Sequence, residues 1–143
     1  MTSLSFTNLR VFIDDSVHHI YTGLTEKSIE KAEEAPFIKM PDLFITAACV
    51  GAKENRYVEL KKKRDVFYAD AFDSKAQIPI LITLAYKWSQ DLDALTDSKR
   101  ILNICEAWAN GGIMIIYDQV MSSGKGLRPL YKFTDFVVEE TKR

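Results

Sequence analysis

The chain has 143 residues, with Lys and Arg totalling 19 against 20 Asp and Glu, a formal net charge of −1. That balance gives no whole-chain argument for a nucleic-acid or membrane partner, and 47% hydrophobic with 27% charged residues is ordinary globular composition that excludes disorder. A single domain spanning residues 1–143 is expected, since a chain of this size buries roughly 68–70% of its unfolded surface and can build its own core. The N-terminus (Met1-Thr2-Ser3-Leu4-Ser5-Phe6) carries no basic stretch followed by an apolar one, so no secretory signal is expected. No apolar run reaches the roughly 18–20 residues of a membrane span. Cys49 and Cys105 sit in apolar runs without metal-ligand spacing, and read as two buried free thiols in a reducing, cytoplasmic setting.

In chain order, residues 8–13 are rich in β-branched and aromatic side chains and read as a short strand. Asp14 or Asp15 then offers a helix cap. Val17, Ile20, Tyr21 and Leu24 follow at i, i+3, i+4, i+7, the period of an amphipathic helix. Residues 26–34, with Glu26, Glu30, Glu33 and Glu34 beside Lys27 and Lys31, read as a solvated helix, which Pro36 ends by pushing its predecessor out of the α region. The next helix begins at Pro41 with Asp42 at its positive end. Leu43, Phe44, Ala47, Ala48, Cys49 and Val50 make it apolar nearly all round, which places it in the core, and Gly51 is the expected terminator.

Residues 53–64 hold six basic side chains against Glu54 and Glu59. Residues 65–72 read as a strand or as one helical turn, and Asp73-Ser74 as a cap. Ile78, Leu81, Ile82, Leu84, Ala85 and Trp88 define a strong helix that tolerates Pro79 in its first turn. Thr96-Asp97-Ser98 starts another, with Ile101, Leu102, Ile104, Cys105 and Trp108 on its apolar face. Asn110-Gly111-Gly112 is either a break or a helical stretch packed closely at its glycines. Ser122-Ser123-Gly124-Lys125-Gly126 reads as a loop, residues 131–138 as a short strand or helix, and residues 139–143 as a charged tail. The expected fold is mainly α, a compact helical bundle with short strands near the N-terminus and around residues 57–72.

No catalytic constellation and no cofactor motif emerges. His18-His19 point about 100° apart on a helix and read as a surface pair. Asp91 and Asp93, with Asp97 nearby, sit two apart without sharing a face and read as a solvated helix end rather than a magnesium site. Ser123-Gly124-Lys125-Gly126 lacks the Ser or Thr after Lys that a phosphate loop requires. The candidate contact residues are therefore Arg56, Lys61, Lys62, Lys63, Arg64 and Lys125, as a partner or phosphate surface, with Tyr57, Phe67 and Tyr68 nearby for base stacking. Trp88 and Trp108, on the apolar faces of the two strongest helices, are expected in the core, with an interface anchor as the alternative.

One resemblance runs through these residues. Arg10-Val11-Phe12-Ile13-Asp14, Ala35-Pro36-Phe37, the block Asp42-Leu43-Phe44-Ile45-Thr46-Ala47-Ala48 with Gly51, Asn55-Arg56, and Ala107-Trp108-Ala109-Asn110-Gly111-Gly112 form a series. The series resembles Dnd-system-associated protein four, a family of small accessory proteins beside bacterial DNA phosphorothioation defence loci. The resemblance implies an anti-phage defence setting, no established reaction, and assembly with a larger subunit such as an SMC-like ATPase or a nuclease. Self-association is compatible with it. A looser echo, of a ribbon-helix-helix DNA-binding unit, rests on the strand at residues 9–13 and the helices ending near Gly51. Arg10 is the one polar reader on that strand, whereas groove-reading strands need several.

Overall fold

In the computed structural model, which describes residues 4–25 and 39–120, a two-stranded antiparallel ribbon and four α-helices pack around one apolar core. The expected helix over residues 26–34, its stop at Pro36, the loop at residues 122–126 with Lys125, and the elements after it lie outside the described residues. No helix among the described residues is long and apolar enough to cross a membrane.

Strand β1 (Arg10–Asp14) pairs with β2 (Lys63–Tyr68), with Val11 opposite Phe67 and Ile13 opposite Arg64. The register shifts between Val11 and Phe12, where Val66 of β2 is the extra, unpaired residue. Val11 and Ile13 point into the core. Asp14 ends the strand and caps the 3-10 turn Asp15–Val17, its Oδ1 accepting from the Ser16 N–H at 3.0 Å and the Ser16 hydroxyl at 2.7 Å. Helix α1 (His18–Leu24) follows, and Val17, Ile20, Tyr21 and Leu24 are all buried, as their spacing requires.

Helix α2 (Met40–Lys53) has Pro41 in its first turn, where a missing N–H costs nothing. It buries Leu43, Phe44, Ala47 and Ala48, but Cys49 is exposed, so the helix keeps a narrow outer face. Gly51 does not end it. The helix runs on to Lys53 and closes on Asn55, whose φ of 58° is left-handed, a conformation Asn adopts more readily than most residues. The Asn55 N–H donates to the Ala52 carbonyl at 3.2 Å and the Arg56 N–H to the Gly51 carbonyl at 2.8 Å. This pair of bonds satisfies the last carbonyls of the helix.

The smallness of Gly51 serves packing instead. A Cβ there would overlap the Trp108 carbonyl oxygen, and one at Gly112 would overlap the Ala47 carbonyl oxygen. Helix α4 (Ser98–Val120) therefore passes unbroken through Asn110-Gly111-Gly112 and lies backbone to backbone on α2. Its start is fixed by Asp97, whose Oδ1 accepts from the Lys99 and Arg100 N–H groups.

Residues 65–72 resolve into both predicted forms, since β2 gives way to the 3-10 turn Ala69–Ala71. Helix α3 (Ile78–Ser89) follows a cap in which Asp73 accepts from the Lys75 and Ala76 N–H groups. It buries Leu81, Leu84 and Ala85 against α4, where the Cys105 thiol reaches the Leu81 carbonyl at 3.3 Å. The two tryptophans separate. Trp108 is 1% exposed and donates its indole N–H to the Leu84 carbonyl at 3.0 Å, whereas Trp88 is 50% exposed. Trp88 stands near the end of a twelve-residue helix whose buried stripe has already been spent on Leu81, Leu84 and Ala85.

Candidate functional site

The basic segment is laid onto acidic partners. Asp14 Oδ2 accepts from the Lys61 N–H at 2.7 Å and the Lys62 N–H at 3.3 Å. Burial would raise this carboxyl, but the hydrogen bonds from Ser16, Lys61 and Lys62 outweigh it and hold Asp14 down at about 2. Asp15 faces Arg64 at 3.1 Å and Lys62 at 3.8 Å. Lys61, Lys62, Lys63 and Arg64 are all exposed, yet the positive, phosphate-attracting field of the strip is reduced where Asp15 sits. Arg10, the strand's polar reader, pairs with Asp65 at 2.7 Å and lies over the Tyr68 ring at 4.1 Å. Strand β1 is occupied by β2 of the same chain. The ribbon thus differs from the ribbon-helix-helix echo, and the residues for base stacking part company. Phe67 packs on Phe44 and Phe72, Tyr68 lies under Arg10, and Tyr57 belongs to a different cluster.

Arg56 is exposed, and its backbone explains how that second cluster is built. The segment after α2 lies flat on α4 because Gly111 has no Cβ, which would overlap the Arg56 carbonyl oxygen. The Val58 N–H donates to the Ala107 carbonyl at 3.1 Å, and the Asn110 amide donates to the Val58 carbonyl at 3.1 Å. This strapping fixes Tyr57. Its ring stacks on Trp88 with centroids 3.6 Å apart and planes 1° from parallel, and meets the edge of Trp108 at 5.1 Å. Trp88 meets Trp108 at 5.9 Å, closing a triad with one buried and one half-exposed tryptophan.

On the other side Tyr57 lines a cavity of about 210 Å³, together with Glu59, Leu60, Lys63, Asn103, Glu106 and Ala107. Glu106 is 3% exposed. Its Oε2 accepts from the Phe12 N–H at 2.9 Å, beside the point where the ribbon register skips Val66. Burial pushes this carboxyl up to about 7, against the lowering effects of the Phe12 bond and of Lys63. Lys63 does not close on it, and its Nζ sits 5.7 Å from the Phe12 ring centroid.

Sequence reasoning passed over Glu106. The signal was present as a lone carboxylate within the apolar series Ile104-Cys105-Glu106-Ala107-Trp108, since an unpaired acid in such a run has to find a partner. Among the described residues no three His, Cys, Asp or Glu side chains converge as a metal cage. His19 instead meets the Tyr117 ring edge-on at 6.0 Å, and Asp91 and Asp97 cap the 3-10 turn Leu92–Thr96 and α4.

Fold and site together define a small, mainly helical domain with a strapped aromatic ledge beside a buried carboxyl. Among protein families, the one described as DNA sulphur modification system-associated protein 4 matches residues 14–134. The chain belongs to this family. No curated protein and no solved structure matches it.

Proposed function

We propose that this protein is a non-catalytic accessory subunit of a bacterial DNA sulphur modification defence system. It acts in the cytoplasm by assembling with a larger ATPase or nuclease component. The family association supports the setting. The observation that carries the mode of action is the Tyr57–Trp88 stack, a rigid aromatic pair held on a strapped segment with half of Trp88 in solvent. Large aromatic side chains of this kind are the commonest anchors of protein interfaces. The competing reading is direct DNA contact through Arg56, Lys61, Lys62, Lys63, Arg64 and Lys125. It has less support, because Asp15 already engages Lys62 and Arg64.

Co-expression with the products of the neighbouring genes tests the assembly. The chain is expected to co-elute with one of them, and Trp88→Ala to weaken the complex by about tenfold or more without loss of fold. A chain that stays free beside every product, and binds DNA with an affinity falling steeply with salt, would replace the subunit reading with the DNA one.

A further inference from the structure

Glu106 has an unusual balance of groups for a buried carboxylate. One oxygen is taken by the Phe12 N–H, and no described residue is seen to donate to the other. A carboxylate this deeply placed is held at a desolvation cost, which a cationic group reaching it through the cavity would offset. The cavity it lines brings two carboxylates, Glu59 and Glu106, against one cation, Lys63. Lys63 lies over the Phe12 ring and offsets the Glu106 charge only from a distance, without an ion pair between them. The remaining walls are the Tyr57 ring and the Asn103 side chain, a flat aromatic surface and an amide acceptor. Tyr57 belongs both to the cavity lining and to the stack with half-exposed Trp88, so the cavity neighbours the ledge.

We infer that this cavity receives an arginine side chain of the partner subunit, its guanidinium donating to Glu106 and lying along Tyr57. The inference rests on the subunit reading above and names the chemistry of the contact. A guanidinium suits the site better than an ammonium for three reasons. It is planar, it is weakly hydrated and so enters a partly dry cavity at lower cost, and its several donors serve Glu106 and the Asn103 carbonyl together. The net acidic lining supplies the charge complementarity.

The test needs no partner. Blocked arginine (N-acetylarginine amide) is titrated into the isolated protein and followed by amide chemical shifts, with methylammonium at equal ionic strength as the comparison. Saturable shifts are expected at Tyr57, Asn103, Glu106 and Ala107, stronger for the guanidinium. Glu106→Gln is expected to weaken binding about tenfold or more. It keeps a carbonyl acceptor for the Phe12 N–H, so the spectrum should stay that of a folded protein. Glu59→Gln, on the exposed rim, provides a second charge deletion that does not touch the core. Binding should also weaken as Glu106 takes up a proton, with Lys63 of β2, Glu59 and Tyr57 of the strapped segment, and Cys105 of α4 as the titratable groups around it. Absence of saturable shifts, equal affinity for methylammonium, or unchanged affinity in Glu106→Gln overturns the assignment. If the probe binds but no locus product co-elutes, the subunit reading fails while the cavity assignment stands. If a complex forms and the probe does not bind, the reverse holds.

Discussion

Glu106→Gln separates the cost of a buried carboxylate from the value of its hydrogen bond. The native carboxyl is raised from 4.5 to about 7, chiefly by burial. The folded state therefore holds a proton that the unfolded chain releases between those two values. Stability falls as pH rises through that window; the full stability is present below 4.5 and the loss is complete above about 7. Each pH unit of the interval is worth about 1.36 kcal/mol, so the whole amounts to about 3 kcal/mol. Gln keeps an oxygen for the Phe12 N–H, 2.9 Å away in the native protein, and carries no charge. Urea unfolding at several pH values reads the difference through the midpoint at constant slope. The Gln protein is expected to be the more stable by up to about 3 kcal/mol near pH 8, with the gap closing near pH 4. Parallel curves at every pH, or a less stable Gln protein at pH 8, would refute the argument. A carboxylate retained at such a cost is what a binding role would demand.

The other predictions follow from packing and capping. Gly112→Ala drives a methyl into the Ala47 carbonyl, where neither backbone can yield cheaply, so thermal or urea unfolding should show a loss of about 4 kcal/mol or more, or no folded protein. Gly23→Ala meets nothing within 4 Å in helix α1 and should stabilise by about 0.5–1 kcal/mol in the same assay; a loss there would show the helix to be strained. Trp108→Ala removes a buried ring and its bond to Leu84 and should cost about 3–5 kcal/mol, whereas Trp88→Ala should cost about 1 kcal/mol, the value of one exposed aromatic stack. Equal losses would contradict the division between core and ledge. Asp14 has its carboxyl depressed from 3.8 to about 2, so its contribution, at most about 2 kcal/mol, is present above 3.8 and disappears as pH falls through about 2. Asp14→Asn should therefore be less stable than the native protein at pH 5 and converge with it near pH 2, as followed by circular dichroism.

Much of the fold was legible because its causes are local. The i, i+3, i+4, i+7 series from Val17 to Leu24, the prolines at 41 and 79, and the caps at Asp14, Asp73 and Asp97 all appear where the sequence places them. The outcome at Asp65 to Phe72 was legible only as a choice between strand and turn, and the chain takes both in succession. The site was far less legible. The basic run was visible, but its engagement by Asp14 and Asp15 depends on contacts across 47 to 49 residues of sequence. Glu106 reaches Phe12 across 94 residues, and no periodicity in α4 announces that.

The sequence by itself determined the mainly helical class and, among the described residues, the helix starts and most of each buried stripe, since propensity, capping and periodicity act within a few residues. The tertiary structure alone decided what the small and aromatic residues are for. Gly51 became a contact surface instead of a terminator because α4 passes over it, and Asn55 took the terminating role. Trp108 entered the core in the middle of α4, whereas Trp88, at the last turn of α3, meets it edge-on and keeps half its surface in solvent. Glu106 became a buried acid because strand β1 and the strap at Tyr57 both pack beside it on α4. Each of these depends on the distance between segments far apart in the chain, which packing fixes and local sequence does not encode.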